Sequence, residues 1–456
     1  MMTTLWTTLS NALLPKLKTW YNPQWLTLAL MGVSLTGITV LAWGVSSLSY
    51  VLKNEDPIHI AYMAVQNPES VVLNPEAWLK ESWQAYKGKF IQTDGRVKDF
   101  FTNSSTTSEG QSYAMLRAVW LNDKATFSKV WEWTRNNLQQ RAGNKLLAWR
   151  WGQLPDGHSW GMLDDAAATD ADQDVALALL LGYHRWNEGW MLHEAKQLLN
   201  DIWTYEVVNS VKGPVLLPGD WHRKAVVVPE YVLLNPSYFS PYSYHVFALF
   251  DKEHDWSALA STSYSLLQQQ LNLSKHRLVL DWVWFNRSTG ELVLQQGDFE
   301  HQEKQSTFSY EAFRAYWRMM LDELLFAGHT HTSQQVIQTG LSTLNAWSKQ
   351  HNNTLPGTLT PDGKEIEPLK SKAIYGALWP VFRHYSPSLQ QQLAGSYSWP
   401  DASKTDDYYA QNWFWFGMAL QLIDDKAKPF ANKTKEPYWA LDTLTFWLLP
   451  KDPVVK

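Results

Sequence analysis

Cysteine is absent from all 456 residues, which excludes disulfides, thiolate metal sites and a cysteine nucleophile. That absence does not fix the compartment, because many proteins outside the cytoplasm do without disulfides. Basic charge is also short: 39 Lys and Arg face 44 Asp and Glu, for a net charge of −5, so the chain lacks the footprint of a nucleic-acid binder. The 13 histidines show no metal-ligand spacing; His329 and His331 read as surface residues of a polar turn. No metal and no cofactor are expected. Between about residues 60 and 440 there is no Gly/Ser linker, low-complexity tract, charge block or exact repeat, and no alternation of strand and helix that would announce a parallel sheet.

What the chain has in excess is aromatic: 27 Trp and 20 Tyr. A core needs Leu and Val more than Trp, so part of this surplus is expected to line a groove; a large helical core that uses Trp well is the competing reading for any single Trp. Flat apolar rings suit the faces of sugar rings, and their N–H and O–H edges can bond hydroxyls.

No charged residue occurs from Thr19 to Leu52, and Leu26 to Ser46 reads LTLALMGVSLTGITVLAWGVS. About 20 apolar residues span the hydrocarbon layer as a helix. Lys16 and Lys18 precede the stretch and Glu55 and Asp56 follow it, which puts the N-terminus inside and the rest outside. The expected organisation is a short cytoplasmic segment (1–24), a transmembrane anchor (25–52), a catalytic domain (60–440) and a C-terminal tail (441–456), with loose packing expected from about Asp425 onward. The location that follows is the inner (cytoplasmic) membrane, single-pass, with the domain periplasmic or extracellular. A cleaved signal peptide is the competing reading.

Helical periodicity dominates the domain, as in Tyr113–Trp120, Val175–Trp186, Tyr242–Phe250, Phe313–Phe326 and Trp413–Leu422, where apolar residues recur three and four apart. Strand-like material is short: Ala225–Val228, and a small hairpin of Arg277–Phe285 with Glu291–Leu294 around Ser288-Thr289-Gly290. The fold class is all-α, with polar loops gathered at one end.

Three carboxylate clusters could carry chemistry. In TSEGQSY, Thr107 or Ser108 is a plausible N-cap and Glu109 falls in the first helical turn. A helix N-terminus favours the ionised form, so a proton-donating role for Glu109 requires burial and a second carboxylate nearby. Taken alone, it reads as a capping glutamate. In ATDADQDVA, Asp170, Asp172 and Asp174 open a strongly apolar helix. The glycine and distal Glu of a calcium loop are missing, and helix capping accounts for at least one of the three. In FSYEAFR, Glu311 and Arg314 stand three apart and could pair on a helix face, which alone would be an ordinary ion pair.

In this order and at these separations, the clusters resemble glycoside hydrolase family 8. ATDADQDVALALLLGYHRW is similar to that family's signature, with Val175 where Ile or Met is usual and Gly182 where Ala is usual. SEGQSYAM from Ser108 resembles its general-acid motif, and Leu217-Pro218-Gly219-Asp220-Trp221, Asn235-Pro236-Ser237-Tyr238 and Tyr408-Tyr409 follow in family order. The resemblance spans about residues 75 to 425. It implies an (α/α)6 barrel with an open cleft, and hydrolysis of a β-1,4-linked glucan with inversion. The acid maps onto Glu109 and the carboxylate holding the sugar onto Asp170. Aromatic platforms map onto Trp149, Trp160, Trp221 and Tyr238, with Tyr409 a further substrate contact and Arg314 orienting the base. The family's usual base is an Asp in a Tyr-Asp-Ala stretch, and Glu311 stands there instead. One methylene displaces the carboxylate by about 1.5 Å, and about 1 Å of misplacement is already costly. Asp298, Glu300 and Glu303 just upstream are the other candidates for base.

The expected partners are a β-glucan and, through the N-terminal helix, the membrane, with service to a cellulose synthase complex; nucleic acid is not among them. Xylan, chitosan and mixed-linkage glucan stay open as substrates, and so does a weakened glucan-binding scaffold of a polysaccharide-export machine. Gly157-His158-Ser159-Trp160-Gly161 matches a serine-hydrolase elbow, but that motif needs a strand before it and a helix after it.

Overall fold

A computed structural model describes residues 74–221, 229–294, 304–326, 330–394, 407–427 and 439–446. The expected anchor, the strand-like 225–228, and Asp298, Glu300 and Glu303 lie outside the described residues. So does His329, whereas His331 is exposed on a helix.

Among the described residues, twelve helices make the frame: α1 (Pro75–Phe90), α2 (Ser108–Trp120), α3 (Lys124–Asn137), α4 (Thr169–Trp186), α5 (Gly189–Glu206), α6 (Pro241–Phe250), α7 (Trp256–Gln270), α8 (Phe313–Leu325), α9 (Thr330–Gln350), α10 (Ala373–Tyr385), α11 (Pro387–Leu393) and α12 (Tyr408–Ala427). Their packing is ordered. α2, α4, α6, α8, α10 and α12 each touch the next, and α12 closes back on α2. The odd-numbered helices pack outside, α1 on α12, α3 on α2, α5 on α4, α7 on α6, α9 on α8 and α11 on α10. The sequence carries this division. Inner helices such as α4 are buried without a break from Thr169 to Gly182, as an element covered on every side must be. The outer helix α5 buries one stripe, Met191, Ala195, Leu198, Leu199 and Ile202. Side-chain caps define several starts: Asn74 on Ala77 N, Asp123 on Thr126 N and Asp255 on Ala258 N. α10 and α12 approach closely where Gly376 faces Gly417; a Cβ on Gly417 would collide with the Gly376 carbonyl.

Part of the tryptophan surplus is structural. Trp83, Trp120, Trp256, Trp413 and Trp415 are among the largest fully buried side chains of the described residues, so these five serve the core rather than a groove.

Strands are more numerous than the one expected hairpin. That hairpin exists as β7 (Val283–Asn286) and β8 (Leu292–Val293), but β6 (Tyr231–Leu234) joins it as a third strand. A second sheet orders β1 (Thr106–Thr107), β2 (Ala148–Gln153) and β3 (Trp160–Ala167). Two-stranded pairs join β4 (Val207–Ser210) to β5 (Gly213–Leu216), and β9 (Thr358–Leu359) to β10 (Glu365–Glu367). Gly157-His158-Ser159 forms the turn between β2 and β3, with Asp156 Oδ1 accepting from His158 N and Ser159 N. A strand follows rather than a helix, so this is no nucleophile elbow. The chain beyond 440 also departs from expectation. Trp439–Phe446 forms α13, which packs against α4 with Leu441 and Leu444 buried, so residues 441–446 are not a loose tail.

Candidate active site

The site forms around Arg314, in the first turn of α8. Its side chain is 2% exposed, and a planar guanidinium presents its donors as a rigid fork. Nη1 donates to Glu109 Oε2 at 3.1 Å and to Asp170 Oδ2 at 3.0 Å. Nη2 donates to Ser237 Oγ at 2.9 Å and to Glu311 Oε2 at 3.3 Å. Residues from four separate stretches of sequence are thereby gathered on one cation.

Each carboxylate is held from behind. Thr107 caps α2 through Gly110 N, placing Glu109 in the first turn, and Tyr408 donates its hydroxyl to Glu109 Oε1 at 2.9 Å. Burial keeps the Tyr408 hydroxyl well above its usual range, so it remains a donor. Glu311 lies in the turn before α8 rather than on the helix face. Asp281 fixes that turn by accepting from Ala312 N at 2.7 Å, from Ser309 N and Glu311 N at 3.3 Å each, and from Ser309 Oγ. Asn235 Nδ2 donates to Glu311 Oε2. Asp170 opens α4 and is buried.

Burial pushes Glu109 up to about 7; Arg314 pulls it back, and the charge on Asp170 raises it again. Glu311 also rises to about 7, first through burial, against the pull of Arg314 and with a push from Asp281. The pair therefore holds about one proton near neutrality, which is the state an acid and a base in one site must share.

A cavity of about 890 Å³ opens over these groups. Glu109, Asp170, Glu311 and Arg314 line it together with Trp149, Asp220, Trp221, Tyr238, Trp282 and Tyr409. Trp221 stacks on Trp282 at 6.1 Å with planes 23° apart, Tyr238 meets Trp282 edge-on, and Lys304 Nζ lies 5.0 Å from the Trp282 ring. Such a wall suits the apolar faces of a sugar, and the carboxylates suit its hydroxyls. Among the described residues, no group of three or more His, Asp or Glu is arranged to hold a metal ion.

Comparison with known proteins agrees with this geometry. The family model described as "Glycosyl hydrolases family 8" matches residues 59–421. This chain belongs to glycoside hydrolase family 8. Relatives include an endoglucanase of Cellulomonas uda, 33% identical over 234 residues, 51% of this chain and 62% of that protein. An endoglucanase of Xanthomonas axonopodis pv. citri (strain 306) is 36% identical over 244 residues, 53% of this chain and 60% of that protein. The chain thus matches about three-fifths of the length of these relatives. Among solved structures, an endo-1,4-D-glucanase from Vibrio fischeri ES114 superposes with a TM-score of 0.60 at 26% identity, over 74% of this chain and 94% of that one. The mostly helical frame is consistent with the family's (α/α)6 fold.

Eight of the nine site residues named from this family-8 sequence line the one cavity: Glu109, Glu311, Asp170, Trp149, Trp221, Tyr238, Arg314 and Tyr409. Trp160 does not. It lies on β3, 44% exposed, stacked on Trp151 at 5.5 Å, with the Arg96 guanidinium 4.6 Å from both rings. The displacement follows from the hairpin: Trp160 pairs with Gln153 at the end of β2 away from Trp149. Arg314 touches all three carboxylates rather than Glu311 alone, and the Tyr409 hydroxyl is spent on the Tyr310 carbonyl at 2.7 Å. Sequence reasoning assigned no part to Tyr408, Asn235, Asp281, Trp282 or Lys304. Tyr408 and Asn235 carried a signal, since they stand in the Tyr408-Tyr409 and Asn235–Tyr238 stretches; Asp281 and Trp282 stand only in the strand-like Arg277–Phe285.

Proposed function

We propose that this protein is an inverting endo-β-1,4-glucanase acting on a cellulose-like β-glucan. The observation that carries the reading is the placement of Glu109 and Glu311 on adjacent nitrogens of one guanidinium at the floor of an aromatic-walled cavity. Through that fork their oxygens stand no farther apart than roughly 9 Å, which stays below the upper limit of about 9.5 Å for an acid and a water-activating base. Glu311 takes a proton from water, the water oxygen bonds to the anomeric carbon, and the glycosidic bond breaks. Glu109 gives its proton to the leaving oxygen. Asp170 accepts hydroxyl hydrogens of the sugar at the cleavage point, and Trp149, Trp221 and Tyr238 supply apolar faces. Arg314 moderates the charge of all three carboxylates.

The same reading places the domain outside the cytoplasm, held by the apolar stretch 25–52, in service of cellulose synthesis or export. The relatives' names support the substrate class, and the charge pattern around 25–52 supports the location. The test is release of reducing ends by the full-length chain from carboxymethyl-cellulose, mixed-linkage glucan, xylan and chitosan, alongside Glu109→Gln and Glu311→Gln. Release from carboxymethyl-cellulose that both variants lose is expected. Binding without release would favour a scaffold, and release from another polymer alone would replace the substrate.

A further inference from the structure

Beneath the carboxylates that line the cavity lies a second buried ion pair. Asp170 and Asp174 are four residues apart on α4, and Arg314 and Arg318 four apart on α8, so each helix stacks two charged side chains about one turn, or 5.4 Å, apart. The upper rung is the Arg314–Asp170 contact at 3.0 Å. In the lower rung, Arg318 Nη1 reaches Asp174 Oδ1 at 3.5 Å and Nη2 reaches Oδ2 at 3.4 Å. Neither lower residue lines the cavity, and their side chains are 2% and 4% exposed.

Packing gives no reason for this rung. Two buried charges are costly to desolvate, and apolar side chains of similar volume usually join helices as well or better. Arg318 Nε is moreover buried without a hydrogen-bond acceptor. The reason lies in what the pair does to the rung above. An ionised Asp174 standing alone would compete with the upper carboxylates for Arg314, and an uncompensated Arg318 would add a cation beneath them. The groups acting on Asp174 are Arg318, Asp170 and Arg314. Those acting on Arg318 are Asp174, Tyr242 of α6, Arg314 and Tyr113 of α2. Glu109, Glu311, Tyr238, Tyr408 and Tyr409 surround the upper rung. Burial raises Asp174 to about 6, against the pull of Arg318, which leaves it mostly ionised at neutral pH.

The geometry points to Asp174 and Arg318 as a positioning pair: Arg318 occupies Asp174 so that Arg314 is left to Glu109, Asp170 and Glu311, while Asp174 cancels the charge of Arg318. Its consequence for turnover rests on the acid–base reading above; its consequence for the carboxyl groups does not.

The experiment compares pH–rate profiles of full-length wild type, Asp174→Asn, Arg318→Met and the double variant on carboxymethyl-cellulose. Asp174→Asn leaves a bare cation beneath the site, so both limbs move to lower pH by about one unit, the size expected of a charge roughly 10 Å away at an effective dielectric constant near 20. Arg318→Met frees Asp174 to draw Arg314 down, so both limbs move to higher pH. The double variant removes both charges and returns the limbs to their wild-type positions, whatever it does to kcat. A merely structural pair would lower stability or kcat in the single variants and leave the limbs in place, and that result overturns the inference. A double variant displaced as far as one single variant overturns it too. Should one single variant fail to fold, the other still reads the shift. If wild type releases no sugar, the glucanase reading fails. The positioning pair is then read by 13C-carboxyl NMR titration of Glu109 and Glu311, which must move with Asp174→Asn.

Discussion

Glu311→Asp shortens the proposed base by one methylene and makes it Asp, the residue that the family resemblance places at this position. In this frame it is expected to slow the enzyme. The backbone at 311 cannot advance to compensate, because Asp281 pins it through Glu311 N at 3.3 Å and Ala312 N at 2.7 Å. The carboxylate would retreat by about 1.5 Å, stretching the 3.3 Å contact to Arg314 Nη2 and leaving Asn235 Nδ2 without its acceptor. A misplacement of about 1 Å can cost 10²-fold, so kcat/KM should fall about 10²-fold, equivalent to about 2.7 kcal/mol of transition-state stabilisation. The loss should lie in kcat, because the aromatic wall proposed to bind sugar is untouched. Glu311→Gln, which cannot accept the proton, should fall further, by about 10³- to 10⁴-fold. The assay is initial-rate release of reducing ends from carboxymethyl-cellulose at several concentrations, for wild type and both variants. Wild-type activity in Glu311→Asp would refute the positional argument. Activity within tenfold of wild type in Glu311→Gln would move the base elsewhere.

Three further outcomes follow from the geometry. The pH–rate profile should be a bell centred near 7, because burial raises both Glu109 and Glu311 to about 7. Activity falls below that pH as the base takes a proton, and above it as the acid loses one; a flat profile between pH 4 and 9 would contradict the pairing. Ser159→Ala should leave kcat/KM within about twofold, since Ser159 sits in a hairpin turn and surface substitutions have small effects. Loss of activity would revive the serine-hydrolase reading. Gly417→Ala should destabilise the fold by about 3 kcal/mol or more, because its Cβ meets the backbone carbonyl of Gly376 and no rotamer change relieves that. Denaturant unfolding followed by tryptophan fluorescence checks it, and an unchanged midpoint would refute the close α10–α12 approach.

The sequence made the helices legible because apolar residues recur three and four apart along α4 and α12, which are buried over most of their length. It also exposed the acids, because Glu109, Asp170 and Glu311 each sit in a dense local pattern. What it concealed is contact across distance. Glu109 and Tyr408 are 299 residues apart and Asn235 and Glu311 are 76 apart, so no local spacing announces either bond. The β2–β3 hairpin was hidden for another reason: residues 160–166 are half-exposed or exposed on both faces, so no alternation of polar and apolar residues marks a strand. Trp160 was misplaced for the same cause, since its position depends on strand register that the pattern does not reveal.

In the proposed reaction Glu109 and Glu311 cleave a β-glucan by single displacement with water. Time-resolved 1H NMR of cellohexaose hydrolysis by the full-length protein tests it most directly. The α-anomer of the new reducing end should appear first and mutarotate to β over the following minutes. Initial release of the β-anomer, or no hydrolysis at all, would rule out an inverting Glu109–Glu311 pair.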